Sequence, residues 1–169
     1  QRQLARLRET TVLCLHQRQH FLVAGTTCGL IAVFTPFSSL ATPLLRFDTG
    51  CSAIYDLASH GDLLIAATDI GVVAYAWPTI LEAVAAPEVE PSAAPEPAFE
   101  FCIPPPALRK VARPIAEANG LAVDAVADAV WVAGGDGDAY CLDLSTGKGK
   151  KKGLGLGSVV GRTGAGGGG

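Results

Sequence analysis

Cys14, His16 and His20 stand in a Cys-x-His-x-x-x-His spacing, and both residue types bind zinc. A closed structural zinc site needs four ligands. His60 lies far along the chain, and Cys28, Cys51, Cys102 and Cys141 form no Cys-x-x-Cys pair, so no second ligand pair exists. Asp136 and Asp138 flank Gly137, and Asp143 follows. A calcium loop needs further acidic ligands and a bidentate Glu, both absent, so the group reads as a turn. The run from Gly153 to Gly161 (GLGLGSVVG) has the glycine content of a phosphate cradle but lacks the Gly-Lys-Ser/Thr ending and a strand–loop–helix setting. Lys148, Lys150, Lys151 and Lys152 form a small basic cluster, read as a solvated tail rather than a nucleic-acid patch. Trp77 and Trp131 read as packing residues. No Ser/His/Asp or Cys/His arrangement has supporting context. The expectation is a protein with no catalytic, cofactor-binding or metal-binding residues, and not an enzyme.

The elements that carry these residues repeat. Residues 11–36 moved forward by 42 positions fall on 53–78 without a gap. Leu15 falls on Leu57, Leu22 on Leu64, Ala24 on Ala66, Thr26 on Thr68, Gly29 on Gly71, Ala32 on Ala74 and Pro36 on Pro78. A period of about 40–45 is that of a four-stranded propeller blade. Each unit predicts an apolar strand (12–15, 54–57), a polar turn (17–19, 59–61), a nearly all-apolar strand ending in small residues (21–25, 63–67), and a third strand (30–34, 72–77). Continuous apolar runs suit strands buried on both faces. The glycine at 29 or 71 allows the positive φ of a tight turn. A third unit predicts strands over 121–126, 130–134 and 139–144, with Asp136-Gly137 turning the hairpin.

Between the second and third units, residues 83–114 hold eight of the eleven prolines. The stretch predicts a disordered or extended insertion, part of which, around 99–103, returns as a fourth strand. From Gly147 onward lie eleven of the twenty glycines and four lysines, so 148–169 is expected to be a disordered tail. Residues 1–10 form an amino-terminal extension. The fold class is therefore all-β, a partial WD40-type β-propeller of about three blades over 11–147. Three blades do not close a ring, so the chain as given has two open blade faces and should be marginal alone, completed by missing blades or by a partner.

Composition bounds the partners. The chain has 169 residues, 49% hydrophobic and 17% charged, with net charge −3. That balance has no electrostatic footprint for nucleic acid or an anionic membrane. No apolar run approaches the roughly 20 residues of a membrane-spanning helix. Arg2, Arg6 and Arg8 make the amino end unlike a signal peptide. Five cysteines, an odd number, fit a reducing compartment. The lack of any Met makes a fragment of a longer protein the expectation.

The strands also resemble a known family. Residues 21–34 (FLVAGTTCGLIAVF) with Ser38-Ser39-Leu40 are similar to the first blade of the THO complex subunit 6 family. Residues 53–57, Leu63-Leu64 and 71–77 resemble its second blade. A Pro-containing connection follows, then Ala133-Gly134-Gly135-Asp136 and residues 142–147 (LDLSTG), in the order of that family's first three blades. The chain departs from it in lacking Gly-His and Trp-Asp dipeptides; Leu142-Asp143 stands nearest to the latter. The resemblance implies a non-catalytic, nuclear scaffold subunit of a THO/TREX-like complex in mRNA processing and export. Its partners would be other protein subunits, with RNA contacted indirectly at most, no membrane and no small-molecule substrate. Residues 134–147 (GGDGDAYCLDLSTG) also resemble a quinoprotein-like propeller repeat, which implies a quinone-dependent enzyme or an envelope assembly protein.

Overall fold

The computed structural model describes residues 10–36, 43–85, 94–103 and 117–152. Among the described residues, twelve strands form three four-stranded antiparallel sheets in strict chain order. The first holds β1 (Val12–Arg18), β2 (Phe21–Thr26), β3 (Leu30–Phe34) and β4 (Leu45–Asp48). The second holds β5 (Ile54–His60), β6 (Leu63–Thr68), β7 (Gly71–Ala76) and β8 (Pro97–Phe101). The third holds β9 (Ala118–Asp124), β10 (Ala129–Gly134), β11 (Ala139–Asp143) and β12 (Lys148–Lys152). Contacts between sheets run chiefly through first and second strands: β5 lies against β1, β2 and β9, and β9 also meets β6. Sheets that meet at their first strands and fan outward are the blades of a β-propeller, here three in succession.

Alternation along the strands explains the stacking. In β6, Leu64 and Ala66 enter a core shared with Val23, Ile31, Val33 and Phe47 of blade 1. Their neighbours Ile65 and Ala67 enter a second core with Val130, Val132, Tyr140 and Leu142 of blade 3. In β7, Val73 and Tyr75 face blade 1, while Val72 and Ala74 face blade 3. The middle blade thus has no polar face, which is why its strands read as unbroken apolar runs. We call the face toward the preceding blade leading and the other trailing.

The repeated threonine and glycine have one job. Thr26 Oγ1 accepts from Leu30 N (3.0 Å) and donates to Leu30 O (3.1 Å), locking the β2–β3 hairpin. Thr68 Oγ1 does the same for β6–β7, donating to Gly71 O (2.9 Å) and accepting from Ile70 N (3.2 Å). Gly29 and Gly71 have φ of 73° and 125°. A Cβ on Gly29 would strike the Cys51 carbonyl, and one on Gly71 the Phe101 carbonyl. The repeat therefore keeps glycine for close backbone approach as well as for φ. The inner strands also bulge at equivalent places, between Val12 and Cys14 and between Ile54 and Asp56.

Several boundaries differ from the sequence expectation. The 17–19 and 59–61 turns are shorter: Gln17 and Arg18 end β1, Ser59 and His60 end β5, and the turns fall at Gln19-His20 and Gly61-Asp62. Cross-strand pairing with Phe21 and Leu63 outweighs the polar composition. The third strand of unit two stops at Ala76, because Trp77 starts helix α1 (Trp77–Ala85). Pro78 suits a first helical turn, and Leu, Glu and Ala then favour helix. Trp77 and Ile80 are its buried anchors. The insertion expected over 83–114 is thus helix at its start and strand β8 at 97–101; the returning fourth strand lies close to where it was expected. The boundary expected at 147/148 is corrected too. Lys148–Lys152 is β12, the outer strand of blade 3, because pairing with β11 offers its backbone a ladder that composition does not reveal. Residues 1–9, 86–93, 104–116 and 153–169, together with Ser38-Ser39-Leu40, lie outside the described residues, as does the glycine run Gly153 to Gly161.

Burial rather than residue type should set the energy of the repeat. Leu57 is 5% exposed on the leading face of blade 2, while its repeat partner Leu15 is 62% exposed on the leading face of blade 1. Leu57→Ala should cost about 2–5 kcal/mol through a cavity, and Leu15→Ala within about 0.5 kcal/mol. Urea unfolding of the two variants measures this; equal costs would contradict the stacking.

Candidate functional site

Cys14, His16 and Arg18 of β1 lie on its trailing face, every second position pointing at blade 2. Cys14 Sγ donates to Ile54 O at 3.5 Å. Burial pushes the thiol up to about 11, so it stays protonated and unreactive. His16 Nε2 lies 2.8 Å from Ser59 Oγ. Burial, then the charge on Arg18, lowers the His16 pKa against the pull of Asp56, which keeps the ring neutral at neutral pH. Arg18 closes the row. Its guanidinium donates to Gly61 O (2.5 Å) and Leu63 O (3.4 Å), stacks 5.0 Å from the centroid of Trp77, and lies 3.6 Å from Asp62. Phe21 meets the same indole edge-on at 5.5 Å. Arg18 Nε and Trp77 Nε1 are buried without a hydrogen-bond partner among the described residues.

The second seam repeats the first with other chemistry. Asp56 stands at the Cys14 position, and its Oδ2 accepts from Leu121 N at 2.8 Å. His60 stands at the Arg18 position, and its Nε2 lies 2.9 Å from Asp128 Oδ1. Asp62 and Asp128 both directly precede the second strand of their blade. The seams therefore share one latch: a basic group ending the first strand of one blade meets an acid in the first turn of the next.

The candidate metal ligands are not brought together. Cys14 and His16 share a strand face but bind blade 2, and His20 sits in the turn with its ring 4.1 Å from Phe21. Among the described residues no group of three or more His, Cys, Asp or Glu could hold a metal ion. Asp136 and Asp138 face the ammonium of Lys151. Lys151 Nζ lies 3.4 Å from Asp136 Oδ2 and pairs also with Asp138. Tyr140 Oη donates to Asp136 at 2.5 Å, and Asp138 N at 3.1 Å. Burial opposes the Asp136 charge, but these donors outweigh it and its pKa is lowered. Burial, then the Asp136 bond, pushes Tyr140 up to about 12. Asp143 Oδ1 accepts from Ser145 N (2.9 Å) and Thr146 N (3.1 Å), capping its own turn. Trp77 is buried in the first seam, whereas Trp131 is 38% exposed.

The exposed apolar residues mark two faces. Leu13, Leu15 and Leu44 lie at blade 1 and Trp131 at blade 3. Leu15, Leu22, Ala24, Ala32 and Phe34 share the leading face of blade 1. Ala122, Trp131 and Cys141 form one row on the trailing face of blade 3. Residues equivalent to these are buried in the inner seams, as Leu57, Leu64 and Ile65 show. Reading Gln17-Arg18-Gln19 as a turn hid the latch; the 42-residue register of Arg18 on His60 was the available signal.

No protein-family model matches the chain, and no curated protein matches it. Solved structures do. The β-propeller domain of Cps50 (Swd1) from Myceliophteria thermophila is 15% identical with TM-score 0.61, over 88% of this chain and 45% of that one. The computationally designed Ika8 protein is 15% identical with TM-score 0.54, over 84% of this chain and 36% of that one. The computationally designed Ika4 protein is also 15% identical, with TM-score 0.50, over 83% and 70%. Such identity bears on the fold alone, which is that of a partial, all-β propeller. The chain spans less than half the length of the first two of these structures.

The latch should be held by its buried half. Arg18→Ala should cost about 1–3 kcal/mol, since it strips two carbonyls of a donor and the indole of its cation. Asp62→Ala should cost less than about 0.5 kcal/mol, because that carboxylate is 84% exposed. Chemical denaturation separates the two. In blade 3, the folded pKa of Asp136 lies below its ordinary value. The stability it lends is present above about pH 4 and is lost as pH falls through the folded value. Tyr140→Phe should cost about 1.5–3 kcal/mol at pH 7 and progressively less in acid. Melts at pH 7 and pH 3 test this; a cost that stays constant would contradict it.

Proposed function

We propose that the chain acts as a non-catalytic WD-repeat scaffold, a THO complex subunit 6-like protein of a THO/TREX-like assembly serving mRNA processing and nuclear mRNA export. The observation that carries the scaffold reading is the pair of outward apolar faces. Leu57 and Ile65 are buried in the inner seams, while Leu15 and Trp131 at the equivalent positions are exposed at the two ends, so each end offers apolar surface for protein to cover, whether further blades of the same protein or a partner. Supporting it, Cys14, His16 and His60 are engaged in holding blade to blade, and Asp136, Asp138 and Asp143 in holding the hairpins of blade 3. The assignment to THO/TREX and to the nucleus rests on the ordered resemblance of residues 12–147 to that family's first three blades.

The quinoprotein-like reading rests on residues 134–147. In the fold, this segment spends its polar groups on its own hairpins and on Lys151.

Capture from nuclear extract with the tagged chain tests the assignment. THO subunits should co-purify, and Leu15→Glu together with Trp131→Ser should abolish capture while the circular dichroism spectrum stays that of the parent. Recovery of a bound quinone, or capture of THO subunits that ignores both substitutions, would overturn it.

A further inference from the structure

The inner strand of every blade bulges at the same place. Val12 and Cys14, Ile54 and Asp56, and Ala118 and Gly120 stand opposite consecutive residues of the next strand, which leaves Leu13, Tyr55 and Asn119 with no residue opposite them. In blade 3 the extra residue is followed by Gly120, and it is the single asparagine of the chain. Asparagine is thermolabile, and most so where the next residue has no side chain to hinder attack by its peptide nitrogen. Asn119 is exposed, and among the described residues no hydrogen bond engages its side-chain amide. The exposure belongs to the position, not to the place of blade 3 in the stack. Tyr55 holds the same position in blade 2, which has a blade against each face, and it is still partly exposed. A Cβ on Gly120 would meet only Asp56 Oδ2, at 3.9 Å, so nothing bulky shields the peptide on that side.

We propose that Asn119 is a site of spontaneous modification, which converts through a cyclic imide to aspartate and isoaspartate. The peptide nitrogen of Gly120 loses its proton and attacks Cγ of Asn119. The new N–Cγ bond closes a succinimide ring, and the side-chain nitrogen takes up a proton and leaves as ammonia. Water then opens the ring. Cleavage of the N–Cγ bond gives aspartate, and cleavage of the bond from that nitrogen to the main-chain carbonyl gives isoaspartate, with the chain now running through Cβ and Cγ. One water is consumed and one ammonia released, with no oxidant or reductant.

The fold selects this site over a similar dipeptide. Asp136-Gly137 could close the same ring, but the Asp136 side chain is fully buried and held by Tyr140 Oη and Asp138 N. The consequence of modification falls on the second seam. Leu121 N, two residues beyond Asn119, donates to Asp56 Oδ2 at 2.8 Å. Either product adds a negative charge one residue from the point where the chain passes Asp56, and like charges repel. Isoaspartate also inserts a methylene into the main chain just ahead of that donor. Both changes loosen the bond that registers blade 3 on blade 2. Leu13 and Tyr55 carry no amide, so blades 1 and 2 are untouched.

Storage of the purified chain at neutral and mildly alkaline pH, followed by peptide mapping with mass spectrometry, tests this against a synthetic peptide of residues 117–123. A site that needs little opening of the fold should convert within about tenfold of the peptide rate, faster as hydroxide rises, while Asp136 stays unchanged. In the converted chain the Leu121 amide should lose protection from hydrogen exchange. Asn119→Gln keeps an exposed amide that would need a larger ring, so it should show no conversion and retain that protection. An Asn119 that remains an amide after the peptide has fully converted would overturn the proposal. Equal conversion at Asn119 and Asp136 would overturn it too, since sequence and not the fold would then choose the site. Unchanged Leu121 exchange in the converted chain would overturn the effect on the seam.

Discussion

A sheet whose two faces are both apolar cannot stand alone, and everything in this chain follows from that condition. Blade 2 shows it in full. Leu64, Ala66, Val73 and Tyr75 enter one core, while Ile65, Ala67, Val72 and Ala74 enter the other. Each blade is the solvent-excluding lid of its neighbour, so the stabilising unit is the seam, not the sheet. Among the described residues the outer blades have one seam each, and their other faces leave Leu15 and Trp131 exposed.

Apolar stacking sets how close the blades come but not their register. Register comes from the polar groups at the inner edge. Asp56 reaches across to Leu121 N, His16 to Ser59, Arg18 to the carbonyls of the next hairpin. Glycine removes obstacles at the same edge: a Cβ on Gly25 would lie 2.5 Å from Ile54 and 2.6 Å from Cys14 Sγ. The small residues that end β2 and β6 are therefore the reason the polar row can form at all. Packing and latch are one geometry seen at two depths.

Much of this was legible in the chain. The 42-residue match of Leu22 on Leu64 and Gly29 on Gly71 placed the strands of two blades, because burial on both faces and tight hairpins leave strong marks on composition. The fourth strands were harder to read. Leu45–Asp48 alternates over only four residues, and Lys148–Lys152 is polar throughout, held by backbone pairing to β11 rather than by side chains. Helix α1 was hidden by its own first residue, since Trp77 continues the apolar run of β7 while Pro78 turns it aside. Arg18, His60, Asp62 and Asp128 were visible as charges, but a latch joins residues of two blades, and nothing local distinguishes it from a solvated turn.

The same logic separates chemistry from architecture. A catalytic group needs a free face and a shifted pKa aimed at a cavity. Here three of the shifted groups, Cys14, His16 and Asp136, are bonded to other parts of the fold. Cys14 is a buried thiol bound to a carbonyl, His16 a neutral ring bound to a serine, and Asp136 a carboxylate ringed by Tyr140, Asp138 and Lys151. The exposed large apolar residues include Leu15 on one end and Trp131 on the other. Surface of that kind discriminates partners by shape and by the charges at its margin. The margin is asymmetric, with His20 just before β2 at the head and, at the tail, Asp124 ending β9 and Lys148, Lys150 and Lys152 on β12 in register with Cys141 and its neighbours. Whatever covers the two ends must meet different charge patterns, so the blade stack has a direction, and a partner can tell head from tail.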